Sequence, residues 1–244
     1  MPETVKSKLI KSLFDRFEQD KPDPRTELDF INPYTLLVAV ALSAQTTDKA
    51  VNKATKPLFA MASDPSAMLA IGEERLMAMI SSIGLYRNKA KNVIALSRIL
   101  IDKYSGEVPL TREGLLELPG VGNKTASVVL NELNIEPAIA VDTHVYRVSH
   151  RLGLVGPKAN TPEKVERELM RIIPRPWRTR AHHWLILHGR YVCVARKPKC
   201  DICIVRDLCP RIGVETVPFI DAPEKGRGVP EPKLHTKAPR RPRG

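Results

Sequence analysis

Four cysteines constrain this chain more than any other feature. All of them fall within 17 residues, spaced Cys193-x6-Cys200-x2-Cys203-x5-Cys209, and the rest of the 244 residues hold none. The first residues, Met-Pro-Glu-Thr-Val-Lys, lack the apolar core of an export signal. A cytoplasmic chain is therefore expected, and structural disulfides are rare there. Four thiolates this close together suit one thiolate-rich centre, for which zinc and an iron–sulfur cubane are the candidates. Structural zinc prefers two CxxC knuckles separated by a longer loop. A single CxxC with wider gaps on both sides fits the larger cluster better, and on spacing alone zinc stays open. The loop between the first two cysteines carries Arg196, Lys197 and Lys199, which could press on phosphates or form a solvated face.

Elsewhere the apolar residues recur at helical steps. Val5, Leu9, Ile10, Leu13, Phe14 and Phe17 form a stripe that ends at Pro22 and Pro24. Asn32-Pro33 reads as an N-cap with proline in the first turn, opening an apolar stretch from Tyr34 to Ala44. Asp64-Pro65 is a further start, and the stretch from Ile71 to Ile83 is expected to close with Gly84 as a C′ glycine. A long helix is predicted over Tyr86 to Tyr104, a short one from Thr111, and others over Asn123–Leu133, Thr143–Leu152, Pro162–Ile173 and Trp177–Cys193. No sustained two-residue alternation occurs, so the fold class is all-α, with about ten helices joined by short connectors.

Lys and Arg outnumber Asp and Glu by 39 to 27, a formal net charge of +12. Such an excess suggests a polyanionic partner. A membrane fits poorly, because the eleven-residue stretch from Tyr34 to Ala44 is well short of the roughly 20 apolar residues a span requires. Residues 222–244 carry seven Lys/Arg, two Glu and five Pro, with Val229 and Leu234 as the only sizeable aliphatics. They read as a disordered basic tail, since they bury too little to offset ordering entropy.

Leu118-Pro-Gly-Val-Gly-Asn-Lys-Thr-Ala126 carries the strongest local chemistry. Gly120 and Gly122 let the backbone turn tightly, and bare amides ahead of the next helix would form an anion site suited to phosphate. The arrangement matches a helix-hairpin-helix; an ordinary interhelical turn is the bland alternative. Lys124 sits at the positive end of that second helix, which disfavours its ammonium. A free amine there could attack a sugar carbon, or the side chain could simply contact phosphate. Asp142, in Val141-Asp-Thr-His144, is an expected helix cap that could also hold a nearby cation or move a proton. The turns Ser43–Asp48 and Gly84–Lys89 offer Gln45 as a polar plug and Leu85 as an apolar wedge, of use to an enzyme that extrudes a base. No histidine spacing suggests a metal, and His182-His183 are expected to face different ways in structural roles.

Together these residues resemble the endonuclease III family, bifunctional DNA glycosylases and abasic-site lyases of the helix-hairpin-helix superfamily. The likeness spans about residues 5 to 217, and it rests on Leu42–Asp48, Gly84–Ala90, Leu118–Ala126, Val141–His144 and the cysteine spacing. It implies two helical lobes flanking a positively charged cleft. One is a six-helix barrel over 26–136 that ends in the hairpin. The other combines 1–25 with 137–221 and holds a [4Fe-4S] cluster on Cys193, Cys200, Cys203 and Cys209. It further implies Lys124 as the Schiff-base lysine and Asp142 as the catalytic aspartate. Gln45, Leu85, Gly120, Gly122, His144, Arg196, Lys197 and Lys199 become expected DNA contacts. The expected partner is duplex DNA containing oxidised pyrimidines or abasic sites, bound by a cytoplasmic, nucleoid-associated monomer. Asn123 departs from the arginine frequent in the family. A non-catalytic DNA-binding module would account for the charge and hairpin, but not for Lys124 with Asp142.

Overall fold

The computed structural model describes residues 5–214; the predicted tail at 222–244 lies outside them. Eleven α-helices and one 3-10 turn, with no strand, make up the described residues: α1 (Val5–Asp20), α2 (Pro33–Leu42), α3 (Asp48–Met61), α4 (Pro65–Ile71), α5 (Glu73–Met79), α6 (Tyr86–Tyr104), α7 (Arg112–Leu116), α8 (Asn123–Glu132), α9 (Thr143–Arg151), α10 (Pro162–Ile172), the turn Arg175–Trp177, and α11 (Arg178–Tyr191). None is long and apolar enough to cross a membrane.

Two hydrophobic cores organise these helices. The first gathers buried residues from Leu28 to Leu130 around α2, eight of whose ten residues are buried. A helix so apolar on all sides needs a firm start. Asn32 accepts from the Thr35 amide at 2.9 Å while Thr35 Oγ1 accepts from the Asn32 amide at 3.0 Å, a reciprocal cap. The second core joins Ile10, Leu13, Phe14 and Phe17 of α1 to apolar residues between Ile139 and Val205. Phe14 stacks on Trp177 at 5.9 Å and tilts against Trp184 at 6.1 Å. The indole nitrogens donate to Glu18 and to the Lys21 carbonyl, so α1 is fixed at both its body and its end.

Three sequence expectations need correction. Helix α3 was not anticipated, although Val51, Ala54, Thr55, Leu58 and Phe59 give it a buried face and Thr47 caps it. Pro57 lies inside it, and proline is ordinarily a boundary signal. The stretch Ile71–Ile83 is not one helix. Gly72, at φ +79°, separates α4 from α5, and α5 stops at Met79. Gly84 is not a left-handed C′ glycine; Leu85 takes that conformation instead, at φ +59°.

Candidate active site

A cleft of about 1280 Å³ is lined from both sets of elements: Ser43 to Lys49 and the Lys124–Glu132 face of α8 on one side, Val141 to Tyr146 and His182 to Tyr191 on the other. It brings together Gln45, Lys124, Asp142 and His144. Lys124, in the first turn of α8, is exposed, and among the described residues it forms no ion pair or hydrogen bond. Asp142 caps α9. One carboxylate oxygen accepts from the His144 and Val145 amides, both at 2.8 Å, which fixes the side chain at the cleft edge.

The hairpin divides its two glycines by role. Gly120 has φ +82°, and a Cβ there would lie 2.9 Å from the Asn92 amide nitrogen, so conformation and space both demand glycine. Gly122 has ordinary extended backbone with open space where a Cβ would point, which corrects the expectation that both glycines serve the turn. As N-cap of α8 it supplies no side-chain acceptor. The first amides of α8 therefore have no side-chain cap, as anion binding there requires.

Gln45 and Leu85 are exposed residues in the left-handed region, at φ +55° and +59°. Such geometry costs a non-glycine residue roughly 1–2 kcal/mol and persists only where the surroundings impose it. Lys89 supplies the constraint. Buried in the first turn of α6, its ammonium donates to the Leu42 carbonyl at 2.9 Å, the Ala44 carbonyl at 2.7 Å and Thr46 Oγ1 at 2.9 Å. Burial also holds it below the usual lysine range. The two turns abut there, with the Gln45 carbonyl 4.0 Å from the Cβ position of Gly84. Read only as part of a polar turn, Lys89 in fact shares a stripe with Val93, Leu96 and Leu100. A lysine in register with apolar residues was the available signal.

Other side chains at the cleft were not foreseen. Arg190 of α11 pairs with Glu27 and Asp48, and Tyr191 also donates to Glu27. Burial pushes the Glu27 carboxyl up, but hydrogen bonds from Tyr191 and Arg190 leave it below the usual range. His182 and His183, expected to face apart, are both buried and both line the cleft. Leu85, Gly120, Gly122, Arg196, Lys197 and Lys199 lie outside its lining.

Behind α9 the four cysteines line one small pocket together with Arg151, His188, Lys199 and Arg206. All four are free thiols. Burial pushes the Cys203 and Cys209 thiols up, and the neighbouring cysteines add to the effect. The Arg211 amide donates to Cys209 Sγ at 3.3 Å. Among the described residues no three His, Cys, Asp or Glu side chains are close enough to share a single metal ion. Four thiols around one pocket fit a cubane that takes one thiolate per iron. Arg147 and Arg151 of α9 hold the loop by donating to the Cys193, Val194 and Ala195 carbonyls at 3.1, 2.7 and 2.9 Å. Arg196, Lys197 and Lys199 project from it, exposed, with Lys197 at φ +52°.

Comparison with known proteins agrees with this arrangement. Residues 38–175 match the HhH-GPD superfamily of base excision DNA repair proteins. Residues 193–209 match the iron–sulfur binding domain of endonuclease III, which decides the cysteine centre against zinc. The chain is 54% identical to endonuclease III of Rickettsia conorii over 205 residues, covering 84% of this chain and 97% of that protein. It is 51% identical to the Escherichia coli K12 enzyme over 194 residues, covering 80% and 91%. A trapped covalent endonuclease III–DNA intermediate superposes with a TM-score of 0.78 at 47% identity, covering 85% and 97%. A thermostable thymine-DNA glycosylase gives 0.74 at 25% identity, covering 85% and 98%. With its hairpin, its cleft and its cysteine centre, the chain belongs to the endonuclease III family: it is a DNA glycosylase and abasic-site lyase of base excision repair that carries a [4Fe-4S] cluster.

Proposed function

We propose that Lys124 is the nucleophile of this enzyme, that Asp142 is its partner carboxylate, and that its substrates are oxidised pyrimidines and abasic sites in duplex DNA. The observation that carries this reading is that both side chains line one cleft, Lys124 unpaired and Asp142 pinned by two amides. Backbone phosphates meet the α8 amides beyond Gly120 and Gly122, and the exposed cations Arg196, Lys197 and Lys199 add attraction that weakens with salt. The lesion leaves the stack; Gln45 fills the vacated space, Leu85 wedges the opposite strand, and His144 contacts the backbone beside Asp142.

The Lys124 amine then attacks deoxyribose C1′. The glycosidic bond breaks, and its electron pair leaves with the base, which takes a proton. Asp142 offsets positive charge developing on the sugar and accepts the proton shed by the attacking amine. The amine lone pair then expels O4′, which takes a proton as the sugar ring opens, and the resulting C1′ iminium acidifies C2′. Loss of a C2′ proton expels the 3′ phosphate by β-elimination, and water later releases Lys124. The cysteines would hold the cluster that fixes the basic loop, and no step runs through it. The two cores support lobe boundaries at 26–136 and at 1–25 with 137–221.

Borohydride reduction on lesion-containing duplex tests the assignment. The wild-type chain should give a covalent adduct and Lys124→Ala none. Asp142→Asn should bind DNA normally with turnover reduced about a hundredfold or more. An adduct retained by Lys124→Ala would remove the lysine from the mechanism.

A further inference from the structure

One side chain beside the four cysteines has no part in the chemistry of the cleft. His188, in the last turn of α11, is 7% exposed; it lines the cysteine pocket and is absent from the lining of the cleft. Its backbone carbonyl accepts from the Val192 and Cys193 amides at 3.0 and 2.7 Å, where α11 gives way to the basic loop. Any residue could supply that carbonyl. The imidazole is a separate matter. It stands edge-on to Phe17 of α1, with centroids 5.2 Å apart and planes at 76°, which fixes the direction of its nitrogens.

Nε2 of that ring lies 3.7 Å from Cys203 Sγ, a hydrogen bond lengthened by the large sulfur atom. A cysteine that binds iron does so as a thiolate, which accepts and cannot donate. Nε2 therefore carries the hydrogen, and the histidine is a donor to a ligand rather than a ligand itself. The other sulfurs are supplied differently. Cys209 accepts from the Arg211 amide at 3.3 Å, Cys193 faces an Arg151 nitrogen at 3.5 Å, and Cys203 takes the Val205 amide as well as His188. Amide donors follow the backbone whatever the side chains are. Arg151 is already committed to the Val194 and Ala195 carbonyls. Among these donors, His188 alone is an aromatic side chain aimed at a sulfur with no carbonyl to hold.

We propose that His188 sets the reduction potential of the iron–sulfur centre: its Nε2–H donates to the Cys203 thiolate, draws negative charge off that sulfur and raises the potential. This rests on Cys203 being a ligand of the cluster. The reduced centre carries one more negative charge than the oxidised one, and the ligand sulfurs share it. A donor aimed at a sulfur thus stabilises the reduced form more than the oxidised form, and hydrogen bonds to sulfur are one of the levers by which a protein tunes such a centre. His188 acts through Cys203 and at a distance from the cleft, so its effect is read on the cluster and not on the excised base.

The test measures the potential of the holoenzyme by voltammetry as wild type, His188→Phe and His188→Gln. Phenylalanine keeps a ring against Phe17 and has no donor; the glutamine amide reaches about as far as Nε2 and restores one. His188→Phe should shift the ratio of reduced to oxidised cluster about tenfold at a fixed potential, a fall of about 59 mV for a one-electron couple. His188→Gln should recover more than half of that fall. His188→Leu takes the place of His188→Phe should the latter not retain iron. Labelling the histidine nitrogens isotopically reads the wild type directly: pulsed EPR on the paramagnetic state of the cluster should show a nitrogen coupling that His188→Gln loses. An unchanged potential, an equal fall in the donor-free and glutamine variants, or a wild type without the coupling would overturn the inference. Full iron content and a wild-type potential in Cys203→Ala would instead overturn Cys203 as a ligand.

Discussion

Two loops of this molecule are held in the same manner and at different risk. Residues 42–46, which carry Gln45, hang from the single buried ammonium of Lys89, whose three bonds are all to that segment. Residues 193–199, which carry the basic side chains, hang from two half-buried guanidiniums, Arg147 and Arg151. There the cysteine centre is a further tether. In each case a cation donates to carbonyl oxygens and presents a left-handed residue outward, Gln45 in one and Lys197 in the other. The first loop has one support and the second has several, so the same kind of lesion should have unequal consequences.

Substituting Lys89→Met should do the most damage. It leaves the Leu42 and Ala44 carbonyls without their donor, for a loss of about 3 kcal/mol in chemical denaturation. With Gln45 no longer held, lesion excision should fall about a hundredfold, since misplacement of order 1 Å can cost that much. A variant of wild-type stability and rate would show that the ammonium does not hold the loop. Gly120→Ala comes next, at about 1–2 kcal/mol from its positive φ and the Asn92 contact. Gly122→Ala should leave the denaturation midpoint in place and weaken binding to undamaged duplex, because its open space faces no protein atom. Equal midpoint shifts in the two variants would erase that division.

Arg151→Gln should cost about 1 kcal/mol and retain the iron–sulfur absorbance, as Arg147 and the cluster still hold the loop. A loss as large as that of Lys89→Met would remove the contrast between the loops. The smallest effect is in pH. Burial lowers Lys89 from 10.5, so above its folded value the unfolded chain binds more protons. Stability contributed through this residue therefore rises with pH until 10.5 is passed. The stability difference between wild type and Lys89→Met should grow as pH rises towards 10.5, and that between wild type and Arg151→Gln should stay flat.

What could be read from the sequence follows from how local each signal is. Asn32-Pro33 and Asp64-Pro65 mark helix starts through contacts with near neighbours, and those starts stand where they were expected. Lys124 and Asp142 were legible because each opens a helix behind a recognisable turn, although their sharing of one cleft depends on how the fold places α8 and α9. Glu27, Asp48 and Arg190 were not legible. They lie up to 163 positions apart, and nothing adjacent to any one of them points to the others. Helix α3 failed for the opposite reason: Pro57 is a strong local signal that tertiary packing overrides, with Leu58 and Phe59 buried directly after it.

Helix α1 contributes its buried face to a core whose remaining members begin at Ile139. On a ribosome, Phe14 would emerge roughly ten to thirty seconds before Trp177 and Trp184, at about 5–20 residues per second. Throughout that interval Ile10, Leu13, Phe14 and Phe17 have no permanent place to go, while the first core can already close around α2. The nascent chain therefore presents a sticky amphipathic segment, a natural foothold for a chaperone, until residues from Ile139 onward emerge to cover it.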